Sequence, residues 1–217
     1  MSLSLYIDTA SSSFTILMES DQQILFNSSQ EASLDRNKDI FHIVNTGFEK
    51  IGKTQNDLDF IAVSIGPGAT NAIRSGVSFA NSLAYALGIP VCPFTSFELM
   101  GLDAWNKFKI PVICAAKAIN GNAYLGLYKE NRLVEMKFGK LNEILSEMTE
   151  GLTELALAGA NQETIKSLLN ECNCQETGDQ EGIEKTLVGM KVLLLSRKTF
   201  YPDFAKPILE NLKVFHE

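Results

Sequence analysis

The feature that most constrains this chain is an order of elements that occurs twice. From Leu3 to Phe26 the runs LSLYID, FTILME and ILFNSS are separated by turn formers, with Asp21-Gln22 at the second reversal. Short alternating runs of this kind predict three antiparallel strands. A helix is predicted next over Leu34 to Lys53, because Ile40, Phe41, Val44, Phe48 and Ile51 recur at helical spacing and Gly52 lies near the end. The buried-looking strand FIAVSIG, a helix from about Asn71 to Leu87 ended by Gly88 and Pro90, the strand PVCPF and the helix SFELMGLDAW follow. After Lys107 the order returns as the strands IPVICAAK, AYLGLYK and LVEMKFG, the helix LNEILSEM, the strand ELALAG and the helix ETIKSLLN. Strands followed by alternating helix and strand give a mixed sheet with helices packed on it. The chain therefore reads as two similar α/β halves, residues 1–104 and a smaller or degenerate 105–217. The polar stretch ECNCQETGDQE, 171–181, reads as a loop, and GIEKTLVGMKVLLLSRK as one closing helix.

Between the strand FIAVSIG and its helix lies the corner SIGPGATNAIRSG, 64–76. Pro67-Gly68 are the residues that a type II turn places at its two centres, and Thr70 or Asn71 can cap the helix that follows. A helix N-terminus also attracts anions, and Arg74 adds positive charge, although the corner lacks the lysine and the glycine count of a P-loop. Shape alone explains the motif; a phosphate site at Gly66, Gly68 and Arg74 is the second reading.

Bulk properties exclude several classes. A hydrophobic content of 45% and a charged fraction of 21% support a buried core rather than disorder. The apolar run Leu187 to Leu195 is interrupted by Lys191 and is too short for a membrane span. The N-terminus begins with a strand-like run and has neither a basic n-region nor a cleavage site, so a cytoplasmic location is expected. Cys92 and Cys114 lie in apolar segments, and Cys172 and Cys174 are separated by one residue, poor spacing for zinc. Reduced, mostly structural thiols are expected. A net charge of −7 argues against a general electrostatic grip on nucleic acid.

Two motifs then become specific. YIDTASSSFTILM at 6–18 and GPGATNAIRSGVSFANSLAYALGIPV at 66–91, roughly sixty residues apart, resemble the TsaB (YeaZ) family, with its IDT opening and its GPGSFTG-x-R-x-G loop and helix. A weaker likeness extends to CAAKAINGNAY at 114–124. The resemblance implies a duplicated actin-like fold of the ASKHA, ribonuclease H-like kind, with two mixed sheets and flanking helices. It also implies a non-catalytic partner subunit, required with a TsaD-like catalytic protein and a TsaE-like ATPase for N6-threonylcarbamoyladenosine in tRNA, with tRNA reached only through the partner. No cofactor and no catalytic residue are implied for this chain.

Residue by residue, Asp8 and Thr9 stand where actin-like ATPases place nucleotide ligands, but Ala10 adds a Cβ where close phosphate approach favours glycine. The competing reading has Asp8 capping its own turn. TsaD-type catalysis needs a histidine pair on a helix, whereas this chain has only His42 and His216. Where the family reads GPGSFTG this chain has Ala69, Thr70, Asn71 and Ala72 after its glycines. Lys117, Ile119 and Asn122 replace the second-half Asp, Arg and Glu, and Arg36 and Asn37 stand where a histidine is usual. The family pairs through its two N-terminal helices, with TsaD or with a second copy of itself. Those helices run here from about Arg36 to Lys53 and from Asn71 to Leu87, which makes Phe41, His42, Asn45, Ser75, Ser78, Ser82 and Tyr85 interface candidates. Ordinary solvated helix surface is the alternative for those residues, and an actin-like small-molecule kinase or ATPase is the alternative function.

Overall fold

The computed structural model describes every residue except 1, 11–13, 32–38, 118–120, 170–171, 179–182, 201 and 209–217. Arg36, Asn37, Ile119 and His216 thus lie outside the described residues, as does the expected start of the first helix at residue 34.

The chain divides into two compact units, Met1–Ser96 with Leu187–Pro207, and Phe97–Thr186 with Ile208–Glu217. In the first unit the strands β1 (Leu3–Asp8), β2 (Thr15–Ser20), β3 (Gln23–Asn27), β4 (Leu58–Ser64) and β5 (Val91–Phe94) form one sheet in the order β3-β2-β1-β4-β5. β1, β2 and β3 are antiparallel neighbours, whereas β4 joins β1 and β5 joins β4 in parallel. Asp21 and Gln22 both take left-handed φ, 52° and 68°, so the β2–β3 reversal falls where the sequence predicts it. Two left-handed central residues match the right-handed twist of the strands they join.

Two helices pack on one face of this sheet, α1 (Ile40–Ile51) and α2 (Thr70–Leu87). Period-2 alternation sends Leu3, Leu5, Ile7, Ile16, Met18, Ile61 and Val63 to that face, where they meet Ile43, Val44, Phe48, Ile73, Val77, Ala80 and Ala84. Each such side chain, once fully buried, contributes about 1.5–3 kcal/mol. α1 starts at Ile40, where the Asp39 carboxylate accepts the Phe41 N–H at 3.1 Å and caps the helix. Both helices end on glycine in the left-handed region, Gly52 at φ 63° and Gly88 at φ 69°.

The opposite face of the sheet carries Tyr6 and Phe60, edge to face at 6.0 Å. Here the predicted single closing helix is two, α6 (Ile183–Gly189) and α7 (Lys191–Leu195), separated at Met190. Gly189, poor in a helix interior, marks the break. α7 belongs to the first unit, and its Lys191 ammonium sits 5.9 Å from the Phe60 ring centroid. Beyond it, Thr199 exchanges backbone hydrogen bonds with Val91 at 2.8 and 2.9 Å and covers the open edge of β5.

The second unit repeats the plan. β6 (Val112–Lys117), β7 (Asn122–Lys129), β8 (Arg132–Lys140), β9 (Glu154–Gly159) and β10 (Asn173–Glu176) are ordered β10-β9-β6-β7-β8. With β6 standing for β1 and so on, that is the order of the first sheet. Helix α3 (Ser96–Phe108) covers the face bearing Val112, Cys114 and Tyr128; α4 (Leu141–Thr149) and α5 (Gln162–Leu168) cover the face bearing Ile113, Leu125 and Leu157. β10 lies inside the stretch expected to be loop. Its polar sequence hides it from hydropathy, but Asn173 and Thr177 donate backbone N–H groups to Thr153 and Leu157 of the neighbouring chain stretch.

Candidate functional site

Two places in the first unit carry the sequence-predicted residues: the loops at the C-terminal ends of β1 and β4, and the outer sides of α1 and α2.

At the first place, Asp8 is 5% exposed and its Oδ1 accepts the Ala10 N–H at 2.9 Å. That is an Asx turn, in which the carboxylate holds its own loop. Thr9 is buried, and its Oγ1 has no hydrogen-bond partner among the described residues. The reason is packing: a Cβ at Gly76 of α2 would sit 2.5 Å from that oxygen, so Thr9 fills the space that glycine leaves on the helix.

The corner itself differs from a type II turn. The Gly66–Pro67 peptide is cis, Gly66 takes φ 100°, and Gly68 is not among the residues at positive φ. Gly68 is required for contact instead, since a Cβ there would come 2.2 Å from the Ala10 carbonyl oxygen. Ser96 pins the other side, with its N–H donating to Gly66 O at 2.9 Å and its Oγ to Pro67 O at 2.7 Å. The expected cap of α2 also changes: Ala69 is the N-cap and supplies no side-chain oxygen, while Thr70 already belongs to the helix. Arg74 is exposed one turn further on. Gly66, Pro67 and Gly68 thus hold the turn after β1, Ser96 and the start of α2 together.

The second place is a surface. On α2 the residues Ser75, Ser78, Ser82 and Tyr85 follow one another at spacings of three and four and are all exposed, Tyr85 at 65%. On α1, Phe41 is 57% exposed, which removes it from the buried stripe and places it with half-buried Asn45, one turn on along the same flank. The physical reason is stripe width: Ile43, Val44, Gly47 and Phe48 already fill the side facing the sheet, and a Cβ on Gly47 would come within 2.8 Å of Met18. His42 is exposed, and its carbonyl accepts the Thr46 hydroxyl at 2.9 Å. α2 is further fixed by Asn81, whose Nδ2 donates to Ala205 O at 2.9 Å across the C-terminal stretch of the same unit.

Sequence reading passed over one buried ionic group. Glu19 is fully buried on β2; it accepts the Ser4 hydroxyl at 2.6 Å and the Lys191 ammonium at 2.9 and 3.1 Å. Tyr6 OH lies 3.4 Å away, and the Gln22 N–H also donates to the carboxylate. Burial raises the Glu19 carboxyl, but the bonds from Ser4, Lys191 and Gln22 outweigh it and hold the group below its ordinary range. The available signal was Lys191 itself, a lone cation inside an apolar run.

Comparison with known proteins adds the following. The family described as TsaD, tRNA N6-adenosine threonylcarbamoyltransferase, matches residues 28–210. The tRNA threonylcarbamoyladenosine biosynthesis protein TsaB of Buchnera aphidicola subsp. Schizaphis graminum is 24% identical over 152 residues, 67% of this chain and 72% of that protein. A tRNA N6-adenosine threonylcarbamoyltransferase of Chlorobium limicola is 40% identical over 67 residues, 31% of this chain and 19% of its own length. This chain therefore spans less than a fifth of that relative. Among solved structures, YeaZ from Pseudomonas aeruginosa superposes with a TM-score of 0.70 at 15% identity, over 96% of this chain and 100% of that one. That likeness shows the duplicated actin-like fold that the strand orders already describe. With a match running over most of its length, the chain belongs to the family described as TsaD, tRNA N6-adenosine threonylcarbamoyltransferase.

Proposed function

We propose that this chain is a non-catalytic partner subunit in the biosynthesis of tRNA threonylcarbamoyladenosine, and that it works by docking the outer side of α1 and α2 against a TsaD-like catalytic protein. The observation that carries the reading is the pair of exposed aromatics, Phe41 and Tyr85, on helices whose opposite sides are fully committed to the sheet. Aromatic rings flanked by small polar residues are the usual anchors of an interface, and truncating one central anchor costs about 2 kcal/mol or more, roughly 30-fold in affinity. Phe41, His42, Asn45, Ser75, Ser78, Ser82 and Tyr85 form the proposed contact.

The loops at Asp8 and Gly68 support this reading through geometry. They fix the direction of α2, because Gly68 lies against the Ala10 backbone and Gly76 against the Thr9 side chain. A TsaE-like ATPase would join the assembly, and a second copy of this chain would compete for the same two helices. With a net charge of −7, tRNA would be held by the partner. The test is genetic and chemical: a strain lacking this chain is complemented with wild type or with a Phe41→Ala/Tyr85→Ala variant, and tRNA nucleosides are measured by mass spectrometry. The reading requires modification to be lost in the deletion and restored poorly by the variant. Unchanged modification in the deletion would end it.

A further inference from the structure

The edges of the two sheets are not alike. β3 has five residues and β10 four, and Thr199 pairs with the edge of β5. β8, the edge beside β7, has nine residues and is the longest strand described. None of its residues is fully buried, and among the described residues only β7 pairs with it. A long edge strand presents a row of unused N–H and C=O groups, a template for pairing with another chain. Charge of one sign at its centre would repel a second copy of the same edge. β8 instead sets Glu135 and Lys137 on either side of Met136, on one face of the sheet, with the carboxylate and ammonium 3.2 Å apart.

We propose that the β8 edge is an interface between two copies of this chain, paired antiparallel about a two-fold axis at Met136. Symmetry restricts the register, because wherever residue i faces residue j, j must also face i. With Met136 opposite its own counterpart, Glu135 faces Lys137 of the second copy and Lys137 faces its Glu135. Val134 then faces Phe138, a β-branched side chain against an aromatic ring. Centring the axis one residue earlier would put Glu135 against Glu135, and one residue later Lys137 against Lys137. Like charges directly opposite are destabilising, so the central charges select one register and penalise its neighbours. Directly opposite residues share a face of the sheet, so Met136 and Phe138, which pack against the core around Cys114 and Tyr128, extend that apolar layer across the axis.

The ladder is short. The β7–β8 register slips at Val134, and Arg132 faces Lys140 at the two ends, so favourable pairing runs from Val134 to Phe138. A contact of that extent gives a dimer whose population rises with concentration rather than a permanent one. It uses neither α1 nor α2 and does not depend on the proposed docking to a TsaD-like protein.

The test measures the mass of the full chain by light scattering over rising concentration, together with amide hydrogen exchange at the two extremes. The expected mass moves from one chain toward two, and the amides of Val134 to Phe138 gain protection as it does. Lys137→Glu or Glu135→Lys sets like charges opposite each other twice and should weaken dimerisation about tenfold or more, whereas Glu135→Lys and Lys137→Glu together restore the pairing. A chain that stays monomeric, a dimer indifferent to Lys137→Glu, or protection gained on α1 and α2 but not on β8 would each overturn the proposal. The wild-type exchange pattern decides alone if a variant does not fold.

Discussion

Removing the ammonium of Lys191 is the sharpest perturbation that the fold offers. In Lys191→Met the apolar stem is kept and the charge is lost, leaving Glu19, which is wholly shielded from solvent, with the Ser4, Tyr6 and Gln22 donors but no cation. Breaking a buried pair by deleting one partner costs about 3–5 kcal/mol, because the remaining charge must be carried or protonated in a medium that solvates it badly. Replacing both, as in Glu19→Gln/Lys191→Met, removes the uncompensated charge and should recover most of that loss. Urea denaturation of the wild type, the single and the double variant at pH 7 reads the three values. The pH dependence has a definite sign. A carboxylate held below its ordinary value adds stability that is fully present above the unfolded value of about 4.5 and disappears as pH falls through the lower folded value. The wild type and Lys191→Met should therefore converge in acid. A single-variant loss under about 1 kcal/mol, or a double variant no more stable than the single, would refute the reasoning.

Three other outcomes follow from close contacts and exposure. Gly68→Ala places a Cβ 2.2 Å from the Ala10 carbonyl oxygen, so thermal unfolding should show a loss of more than about 2 kcal/mol, whereas Gly88→Ala meets open space and costs only the left-handed φ penalty of about 1–2 kcal/mol. Gly76→Ala should destabilise by about 1–3 kcal/mol against the Thr9 side chain, and Thr9→Ala in the same chain should relieve part of it; purely additive losses would contradict the contact. Asp8→Ala removes the Asp8–Ala10 turn bond and should lower stability by about 1 kcal/mol. Calorimetry of the wild type with Mg-ATP distinguishes the kinase alternative: saturable binding lost in Asp8→Ala would favour it.

The parts of the fold that could be read from sequence are those specified by neighbours along the chain. Asp21-Gln22, Gly52 and Gly88 encode a reversal and two helix ends by their own backbone preferences, and all three fall as expected. The repeated order of strands and helices was equally legible, since each run carries its own period. What was not legible depends on distant partners. β10 is a strand because β9 offers it a ladder, not because NCQE favours one. Gly68 looked like a turn glycine, and only the approach of Ala10, far back in the sequence, shows that it serves packing. Phe41 fits the apolar period of α1 as well as Val44 does; Gly47 and Phe48, by filling the space over Met18 and Phe26, decide that Phe41 stays outside. The break at Met190 and the pairing of Lys191 with Glu19 depend on the sheet face that receives α7. For the candidate surface, Ser75, Ser78, Ser82 and Tyr85 were visible as a stripe from helical spacing alone, because α2 has a narrow apolar face.

The central claim is that the outer side of α1 and α2 is where this chain acts. It is tested most directly by titrating the purified chain with the TsaD-like protein of the same organism and following complex formation by light scattering and calorimetry. The account predicts a stable one-to-one complex, weakened about 30-fold or more by Tyr85→Ala or Phe41→Ala, variants that should unfold within about 0.5 kcal/mol of the wild type. No complex with the wild type, or a complex indifferent to both substitutions, would contradict it.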